Sequence, residues 1–248
     1  MKQAMIFAAG LGTRLRPLTD TMPKALVRVG GEPLLHRVIM NLKKAGFERI
    51  VINVHHFAGQ IVDYLKTNDN FGLDIRISDE SDALLDTGGG ILKARHLLEG
   101  DEPFLVHNAD ILTDLNLAEM IAYHKANGAD VTLLAKQRST QRYLVFGENN
   151  QMVGWTNIAT GEVKPADLVV KQENSLSAFG GVHVISPRIF DSLARFATEP
   201  KFSIMQYYIA AGRDINIAGY NPDGYNWFDI GKIETLQKAE QFLQCQNQ

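Results

Sequence analysis

The sequence contains very little cysteine. Its single cysteine, Cys245, lies three residues from the C-terminus. One thiol can form neither a disulfide framework nor a thiolate metal cluster, so both kinds of stabilised scaffold are excluded. Because disulfides belong to oxidising compartments, the near absence of cysteine favours a reducing, cytoplasmic location.

The chain also lacks an excess of positive charge and a long apolar run. Its 25 Lys and Arg residues against 28 Asp and Glu give a formal net charge of −3, so no global basic field attracts nucleic acid. No stretch approaches the roughly 18 uninterrupted apolar residues of a membrane-spanning helix. We therefore expect no nucleic-acid partner and no membrane partner, and any anionic ligand must be held by local groups.

The first 135 residues alternate short apolar runs with amphipathic helical stripes. Strands are predicted where the runs are continuous, at residues 4–9, 50–54, 73–77, 104–106 and 131–135. Helices are predicted between them, at residues 33–46, around residues 57–65, and at residues 88–98 and 117–126. This alternation predicts an α/β fold with a doubly wound, mostly parallel, Rossmann-like sheet and helices on both faces.

After about residue 140 the pattern changes to short strands separated by turn signals. The predicted strands are residues 143–146, 152–155, 168–170 and 178–185. Helices return at residues 187–196, 204–211 and 233–243, with a strand at residues 215–219 before the last of them. We interpret the short strands as a small antiparallel β region inserted into one compact domain, because no linker composition separates two domains.

A glycine-rich, basic loop follows the first predicted strand, where an open α/β sheet normally binds its ligand. Gly10 and Gly12 allow the backbone to approach an anion, and Arg14 and Lys24 add positive charge. No Gly-Lys-Ser/Thr closes the loop, so it is not a Walker A motif, and Leu15 replaces the third glycine of a dinucleotide fingerprint. The loop therefore indicates a polyphosphate site of another kind, with a tight turn and solvated arginines as the alternative.

Two aspartates stand at the ends of apolar runs. Asp110 follows the run 103–108, and Asp229 follows a second run just before the last predicted helix. Mg²⁺ usually takes one or two protein carboxylates and completes its coordination with water and substrate oxygens. Asp110 and Asp229 are therefore candidate Mg²⁺ ligands, with helix capping as the alternative role.

Three consecutive glycines, residues 88–90, open a predicted helix. Each glycine inside a helix costs roughly 1 kcal/mol relative to alanine. Such a cost indicates that the backbone approaches something closely. The neighbour is either a bound ligand or the sheet on which the helix packs.

Together these segments resemble the sugar-1-phosphate nucleotidyltransferases. The family signature is similar to Gly10-Leu11-Gly12-Thr13-Arg14 with Pro17-Leu18-Thr19 and Pro23-Lys24 after it. Further matches follow in the family's order at residues 86–90, 108–110, 179–187 and 227–231. The short chain and the Asp-Thr-Gly-Gly-Gly form of residues 86–90 most resemble the compact N-acetylmuramate 1-phosphate uridylyltransferases and similar bacterial mannose-1-phosphate guanylyltransferases.

The resemblance implies an Mg²⁺-dependent transfer of a nucleoside monophosphate from a triphosphate to a sugar 1-phosphate, with release of pyrophosphate. UTP with N-acetylmuramate 1-phosphate or another hexose 1-phosphate is the favoured pair, and GTP with mannose 1-phosphate is the alternative. A monomer or small homo-oligomer working in nucleotide-sugar and cell-wall precursor synthesis is expected. The single domain, residues 1–248, is divided into a nucleotide-binding core (1–135), a sugar-side region (136–225) and a metal-ligand turn with the C-terminal helix (226–248).

The resemblance also assigns site residues. Catalytic roles are implied for Arg14, Lys24 and Asp110, and metal binding for Asp110 and Asp229. The implied nucleotide-binding residues are Ala8, Ala9, Gly10, Leu11, Gly12, Thr13, Arg14, Lys24, Asn53 and Gly88. The implied sugar-binding residues are Asn108, Tyr143, Asn157, Phe179 and Gly180.

The sequence departs from the family on the sugar side. Many relatives carry a Glu-Lys-Pro whose lysine contacts the sugar phosphate, and the comparable stretch here is residues 154–157, without a lysine. Lys171 is a candidate replacement, with a solvated strand-edge lysine as the other interpretation. Leu144 and Gly180 also replace common family residues on this side, and Lys232 replaces one after Asp229. The nucleotidyl chemistry is therefore better specified than the acceptor sugar.

Two other function classes stay open at this point. A non-catalytic nucleotide-sugar-binding homologue is one, although Arg14, Lys24, Asp110 and Asp229 form a complete catalytic set. An NAD(P)-dependent oxidoreductase is the other, because a glycine-rich loop follows the first strand. Two observations argue against this class: the third glycine of its fingerprint is missing, and the second strand ends without the acidic residue that would bind the ribose.

Overall fold

The computed structural model describes residues 1–246; residues 247 and 248, at the end of the predicted region 226–248, lie outside the described residues. The strands are β1 (Gln3–Phe7), β2 (Arg28–Val29), β3 (Glu32–Pro33), β4 (Arg49–Val54), β5 (Asp74–Asp79), β6 (Phe104–Asn108), β7 (Ile111–Thr113), β8 (Val131–Lys136), β9 (Arg142–Phe146), β10 (Met152–Asn157), β11 (Glu162–Lys164), β12 (Ser175–Ile185), β13 (Ile217–Tyr220) and β14 (Trp227–Asp229). The helices are α1 (Leu34–Lys44), α2 (Ala58–Thr67), α3 (Asp86–Ala94), α4 (Leu117–Ala126), α5 (Phe190–Phe196), α6 (Ile204–Ala211) and α7 (Ile233–Gln246).

One large sheet forms the centre of the molecule. Its strand order is β11-β10-β9-β12-β6-β1-β4-β5. Strand β8 pairs with β12 on the side away from β6, and it also pairs with β13. The four strands β6-β1-β4-β5 are parallel, whereas β12 runs antiparallel to β6, β8 and β9. The predicted doubly wound sheet is thus confirmed. The antiparallel region is continuous with the main sheet through the long strand β12.

Helices cover both faces of this sheet, as predicted. In β1, Ala4 and Ile6 point into a core shared with α1, α2 and α4, and Met5 points into a core shared with α3, α5 and α6. All three side chains are fully buried. Alternate strand residues face opposite sides, so a continuous apolar run fits a strand covered on both faces. The helix α1 buries the predicted stripe Leu35, Val38, Ile39 and Leu42.

A third, smaller core joins the loop after β1 to the C-terminal helix. Leu15 from the loop packs in it with Ile230, which follows β14, and with Leu236 and Ala239 of α7. Burial of these apolar side chains, at about 25 cal/mol per Å², holds two distant chain segments together. The residues beside Leu15 and Ile230 are Arg14 and Asp229. The core therefore brings those two candidate site residues to one place.

One predicted strand is wrong. Residues 168–170 form no strand, and the side chains of Val169 and Val170 are exposed. The edge of β10 is paired instead by β11, a strand that the sequence pattern did not indicate. The apolar run is left without a sheet edge to join and without a face to bury. Within residues 1–246, no helix combines the length and the apolar character that crossing a membrane requires.

Candidate functional site

The start of the glycine-rich loop is fixed by a side chain from the neighbouring strand. Ala8 and Ala9 follow β1 and are buried, and the backbone N–H of Ala8 donates to Asn53 Oδ1 at 2.8 Å. Asn53 lies in β4 directly opposite Phe7 in the register. Its side chain therefore replaces the strand partner that Ala8 loses where the chain leaves the sheet. This places the predicted nucleotide-binding residue Asn53 at the carboxyl ends of the parallel strands.

The middle of the loop is a tight turn that needs glycine. Gly12 has a φ of 65°, and a Cβ there would lie 2.9 Å from Lys24 Cβ and 3.0 Å from Thr19 Cγ2. Its carbonyl accepts a hydrogen bond from Thr19 Oγ1 at 2.8 Å. Positive φ and the lack of space both exclude larger residues. The turn places Lys24 against the loop. Leu11, Thr13 and Arg14 are exposed.

Lys24 and Asp110 form the central ion pair of the site. The Lys24 ammonium donates to Asp110 Oδ2, and the side chains are only 13% and 24% exposed. Asp110 follows β6, the strand next to β1, so the loop after β1 reaches it directly. Partial burial makes this pair stronger than an exposed one. The pair holds one cation and one carboxylate ready for a phosphate and a metal ion.

Asp229 is held beside Asp110 by strand pairing. Asp229 of β14 is the register partner of Ile111 in β7, and the N–H of Ile230 donates to the carbonyl of Asp110 at 2.8 Å. A Cβ on Gly231 would lie 2.8 Å from Asp229 Oδ1 and 2.9 Å from Arg14 Nη2. Asp110, Asp229 and Arg14 thus converge, although they come from distant parts of the sequence.

The two carboxylates fit a magnesium ion. Asp229 Oδ1 is buried and has no hydrogen-bond partner among residues 1–246. A buried carboxylate oxygen without a donor is costly unless a cation completes it. The described residues contain no group of three or more His, Cys, Asp or Glu that would enclose a metal. Two carboxylates with open positions match the way Mg²⁺ binds to protein and substrate oxygens together.

A cavity of about 430 Å³ opens at the carboxyl ends of β1, β4 and β6. Seven of the predicted site residues line it: Ala8, Ala9, Gly10, Lys24, Asn53, Asn108 and Asp110. Ligands of open α/β sheets bind outside the carboxyl ends of the strands, and the cavity lies there. A second cavity, of about 600 Å³, is lined by Arg95, His124 and Arg188, among others. Arg95 and Arg188 are neutralised there by Asp191 and Asp130, so we assign the site to the first cavity.

Gly88 does not line the cavity. Its N–H donates to the carbonyl of Phe202 at 2.9 Å, and a Cβ at this position would lie 2.3 Å from the Phe202 ring. Close packing of α3 against the loop before α6 therefore explains the glycine, rather than packing on the sheet, which was the predicted alternative to a ligand. Asp86 and Thr87, just before it, do line the cavity. Asp86 has a φ of 60°, a strained conformation that is often found at functional sites.

The sugar-side predictions are placed less closely together. Of the five residues, Asn108 alone lines the cavity. The carbonyl of Gly180 accepts a hydrogen bond from Trp227 Nε1 at 2.8 Å, two residues before Asp229. Phe179 packs edge-on against His183. The Tyr143 hydroxyl accepts from the N–H of Thr140, and Asn157 Oδ1 accepts from the N–H of Ala159 in a turn. The roles of all five in sugar binding stay predictions.

Sequence patterns missed several residues of the cavity. Glu80 is fully buried, and its Oε1 accepts from Asn53 Nδ2 at 2.7 Å while its Oε2 accepts from the N–H of Leu85 at 3.1 Å. Lys201 lies in the loop before α6. The available signal for Glu80 was an acidic residue just after a strand, β5. No pattern indicated Lys201, because the packing of Phe202 on α3 brings its loop to the cavity.

Two histidines lie buried in the strands behind the site. His107 is in β6 and His183 is in β12. Burial lowers the pKa of His107 to about 4 and the pKa of His183 to about 3. His183 Nδ1 lies 2.8 Å from the Tyr208 hydroxyl. Both imidazoles are therefore neutral near pH 7 and support the sheet, and neither lines the cavity.

Comparisons with known proteins agree on one family. The family described as nucleotidyl transferase matches residues 3–246. The N-acetylmuramate alpha-1-phosphate uridylyltransferase of Neisseria meningitidis is 34% identical over 96% of this chain and 96% of its own. The mannose-1-phosphate guanyltransferase of Schizosaccharomyces pombe is 31% identical over 93% of this chain, which spans 61% of that protein.

Solved structures agree on the fold. HddC from Yersinia pseudotuberculosis, crystallised with GMP-PN, is similar with a TM-score of 0.76 over 98% of this chain and 100% of its own. A UDP-glucose pyrophosphorylase in complex with UDP-glucose is similar with a TM-score of 0.77 over 99% of each chain. At 21% and 19% identity these likenesses concern the fold alone. They match the mostly parallel sheet with its antiparallel extension.

Proposed function

Because the chain belongs to the nucleotidyl transferase family, we propose that it transfers a nucleoside monophosphate from a triphosphate to a sugar 1-phosphate and releases pyrophosphate. The proposed pair is UTP and N-acetylmuramate 1-phosphate, since the Neisseria meningitidis relative that carries this name matches nearly the whole of both chains. Because the chain belongs to this family, the NAD(P)-dependent oxidoreductase is excluded as an alternative. A cytoplasmic location and a monomer or small homo-oligomer stay predictions.

One observation supports this proposal most strongly. Lys24, Arg14, Asp110 and Asp229 converge at the carboxyl ends of the strands, beside a glycine-rich loop whose residues 10, 11, 13 and 14 are exposed. A site for two polyanionic substrates needs cations for the phosphates and carboxylates for a metal ion. This arrangement has both. A non-catalytic binding protein would have no need for the partly buried Lys24–Asp110 pair or the unpaired Asp229 oxygen.

The proposed reaction is an in-line displacement at the α-phosphorus of the triphosphate. A phosphate oxygen of the sugar 1-phosphate forms the new O–P bond as the bond from the α-phosphorus to the pyrophosphate oxygen breaks. Since the second pKa of a phosphate monoester is about 6, the attacking group is largely dianionic at neutral pH and needs no protein base. The remaining demands on the protein are positioning and charge neutralisation.

Each charged residue has a proposed role in that step. Arg14 and the backbone N–H groups of residues 10–13 hold the leaving pyrophosphate. Lys24 lies deeper, beside Asp110, and neutralises the α-phosphate or the incoming sugar phosphate. Asp110 and Asp229 hold Mg²⁺, which supplies Lewis-acid charge neutralisation when it is bound. Asn53 keeps the loop start in place through the N–H of Ala8.

The test is pyrophosphate release from a matrix of triphosphates against sugar 1-phosphates, with Mg²⁺. The proposal predicts the highest kcat/KM for UTP with N-acetylmuramate 1-phosphate and no turnover after chelation. The S. pombe relative supports one alternative, GTP with mannose 1-phosphate, which the same matrix tests. If no pair releases pyrophosphate while nucleotides still bind, the chain is a binding protein and the proposal is wrong.

A further inference from the structure

Strand β8 ends on the side of the sheet where β6 ends and where the site lies. It pairs antiparallel with β12, which pairs antiparallel with β6, so β8 and β6 run in the same direction. Lys136 is the last residue of β8, and Asn108, which lines the cavity, is the last residue of β6. Two interstrand spacings, roughly 10 Å, separate the two strands. Lys136 pairs with Ala178 of β12, whereas His107 pairs with Val182, so the end of β8 lies to the side of Asn108 and farther along the strand direction.

Two cations at this strand end lie on aromatic rings. Lys136 Nζ is 4.2 Å from the centroid of the Tyr225 ring, and Arg138 Cζ is 5.5 Å from the centroid of the Trp227 ring. None of the ion pairs formed within residues 1–246 includes either cation. An aromatic face orients a cation but leaves its net charge uncompensated, and a stacked guanidinium keeps its N–H edge for a carboxylate.

The aromatic rings connect these cations to the catalytic end of the sheet. Trp227 and Asp229 lie two residues apart in β14, so their side chains leave the same face of the strand. Trp227 Nε1 donates to the carbonyl of Gly180, and a Cβ on the next residue, Gly181, would lie 3.1 Å from Asn108 Nδ2. The Tyr225 hydroxyl is buried without a partner among the described residues. Gly180 and Gly181 of β12 therefore lie between Trp227 and Asn108.

We propose that Lys136 and Arg138 form a subsite for an acidic substituent of the acceptor sugar, separate from the reacting phosphate. This inference rests on the proposed function. The reacting phosphate binds near Lys24 and the Mg²⁺ that Asp110 and Asp229 would hold, whereas Lys136 and Arg138 lie to the side, where we place the rest of the sugar. A carboxylate on the sugar pairs there with Lys136 and Arg138, two cations that have no carboxylate partner within residues 1–246. The subsite selects N-acetylmuramate 1-phosphate, which carries a lactyl carboxylate, over N-acetylglucosamine 1-phosphate, which is the same sugar without it.

The test compares these two sugars in pyrophosphate release by the full chain. Lys136→Met and Arg138→Met, singly and together, remove the charge and keep an apolar side chain of similar length. We expect the double variant to raise KM for N-acetylmuramate 1-phosphate at least about tenfold, as expected for lost hydrogen bonds to a charged group. KM for N-acetylglucosamine 1-phosphate, or its inhibition constant if it is not turned over, changes less than about twofold, as does KM for UTP.

Lys125→Met is the matched control. Lys125 is exposed and pairs with Glu102 at 2.5 Å, so its loss removes the same charge elsewhere on the surface. We expect no change in KM for either sugar. An equal loss for both sugars in the Lys136 and Arg138 variants, or no loss, overturns the subsite. A wild-type preference for neutral sugar 1-phosphates also overturns it but leaves the transferase function standing, whereas absence of pyrophosphate release with every pair refutes the function itself.

Discussion

Replacing Glu80 tests how the buried wall of the cavity holds the glycine-rich loop. Glu80 is fully buried, and its two carboxylate oxygens accept from Asn53 Nδ2 and from the N–H of Leu85. Asn53 cannot rotate its amide to compensate, because its Oδ1 already accepts from the N–H of Ala8. The three hydrogen bonds therefore form one chain from the β5–α3 loop to the loop after β1.

The size of the effect follows from the donors left unpaired. In Glu80→Gln one oxygen still accepts from Asn53, but the new amide group faces the N–H of Leu85, so one buried donor loses its acceptor. An unpaired buried donor costs about 1–3 kcal/mol. Glu80→Ala leaves two donors unpaired and opens a cavity, so we expect a loss of about 2–6 kcal/mol. Glu80→Ala also raises KM for UTP, because Asn53 loses the acceptor that orients its amide toward the N–H of Ala8.

Urea unfolding followed by circular dichroism measures these losses, with pyrophosphate release giving the KM. Glu173→Gln is the control, since Glu173 is exposed and its pair with Lys171 is worth about 0–1 kcal/mol. We expect the free energy of unfolding to decrease from wild type to Glu80→Gln and further to Glu80→Ala. If Glu80→Ala unfolds within about 0.5 kcal/mol of wild type and keeps its KM for UTP, the hydrogen-bond chain does not hold the loop.

Three more predictions concern the glycines, the metal ligands and the buried histidines. Gly88→Ala destabilises by about 1–3 kcal/mol, because its Cβ overlaps the Phe202 ring, whereas Gly10→Ala, with no atom within 4 Å, changes unfolding little but raises KM for UTP; equal unfolding midpoints would contradict this. Asp229→Asn lowers kcat at least about 100-fold with the fold intact, and near-normal turnover at saturating Mg²⁺ refutes the metal site. Burial lowers the pKa of His124 to about 4 and that of His183 to about 3, so as the pH falls below about 6.5 the unfolded chain protonates these imidazoles while the folded chain does not. The stabilisation is complete above about pH 6.5, and the free energy of unfolding decreases below it by up to about 1.4 kcal/mol per imidazole per pH unit. A constant urea midpoint between pH 7 and 5 would contradict this.

Local patterns predicted the parts of the fold that depend on local burial. The apolar run of β1 and the stripe of α1 reflect how each element meets the core, so a single segment carries enough information. The same holds for Gly12, whose positive φ belongs to its own turn. The pairing of the predicted antiparallel strand β12 with β6 of the main sheet and the strand β11 escaped prediction, because strand order depends on pairing between distant segments.

The candidate site shows the same division. The loop residues and Asp110 follow strands directly, so their place at the sheet edge was predictable from topology. The approach of Asp229 to Asp110 depends on the pairing of β14 with β7, which no spacing in the sequence expresses. Glu80 and Lys201 line the cavity through tertiary packing alone. The family resemblance supplied what local physics could not, namely the prediction that the two aspartates bind one metal ion together.

The residues at the carboxyl ends of the strands are proposed to join a nucleoside monophosphate to a sugar 1-phosphate. Phosphorus NMR of the purified chain with UTP, N-acetylmuramate 1-phosphate and Mg²⁺ follows substrates and products in one sample. We expect equal amounts of a UDP-sugar and pyrophosphate, and neither product with Asp110→Asn. Formation of UDP-sugar by Asp110→Asn at the wild-type rate, or hydrolysis of UTP without a UDP-sugar, would refute this function.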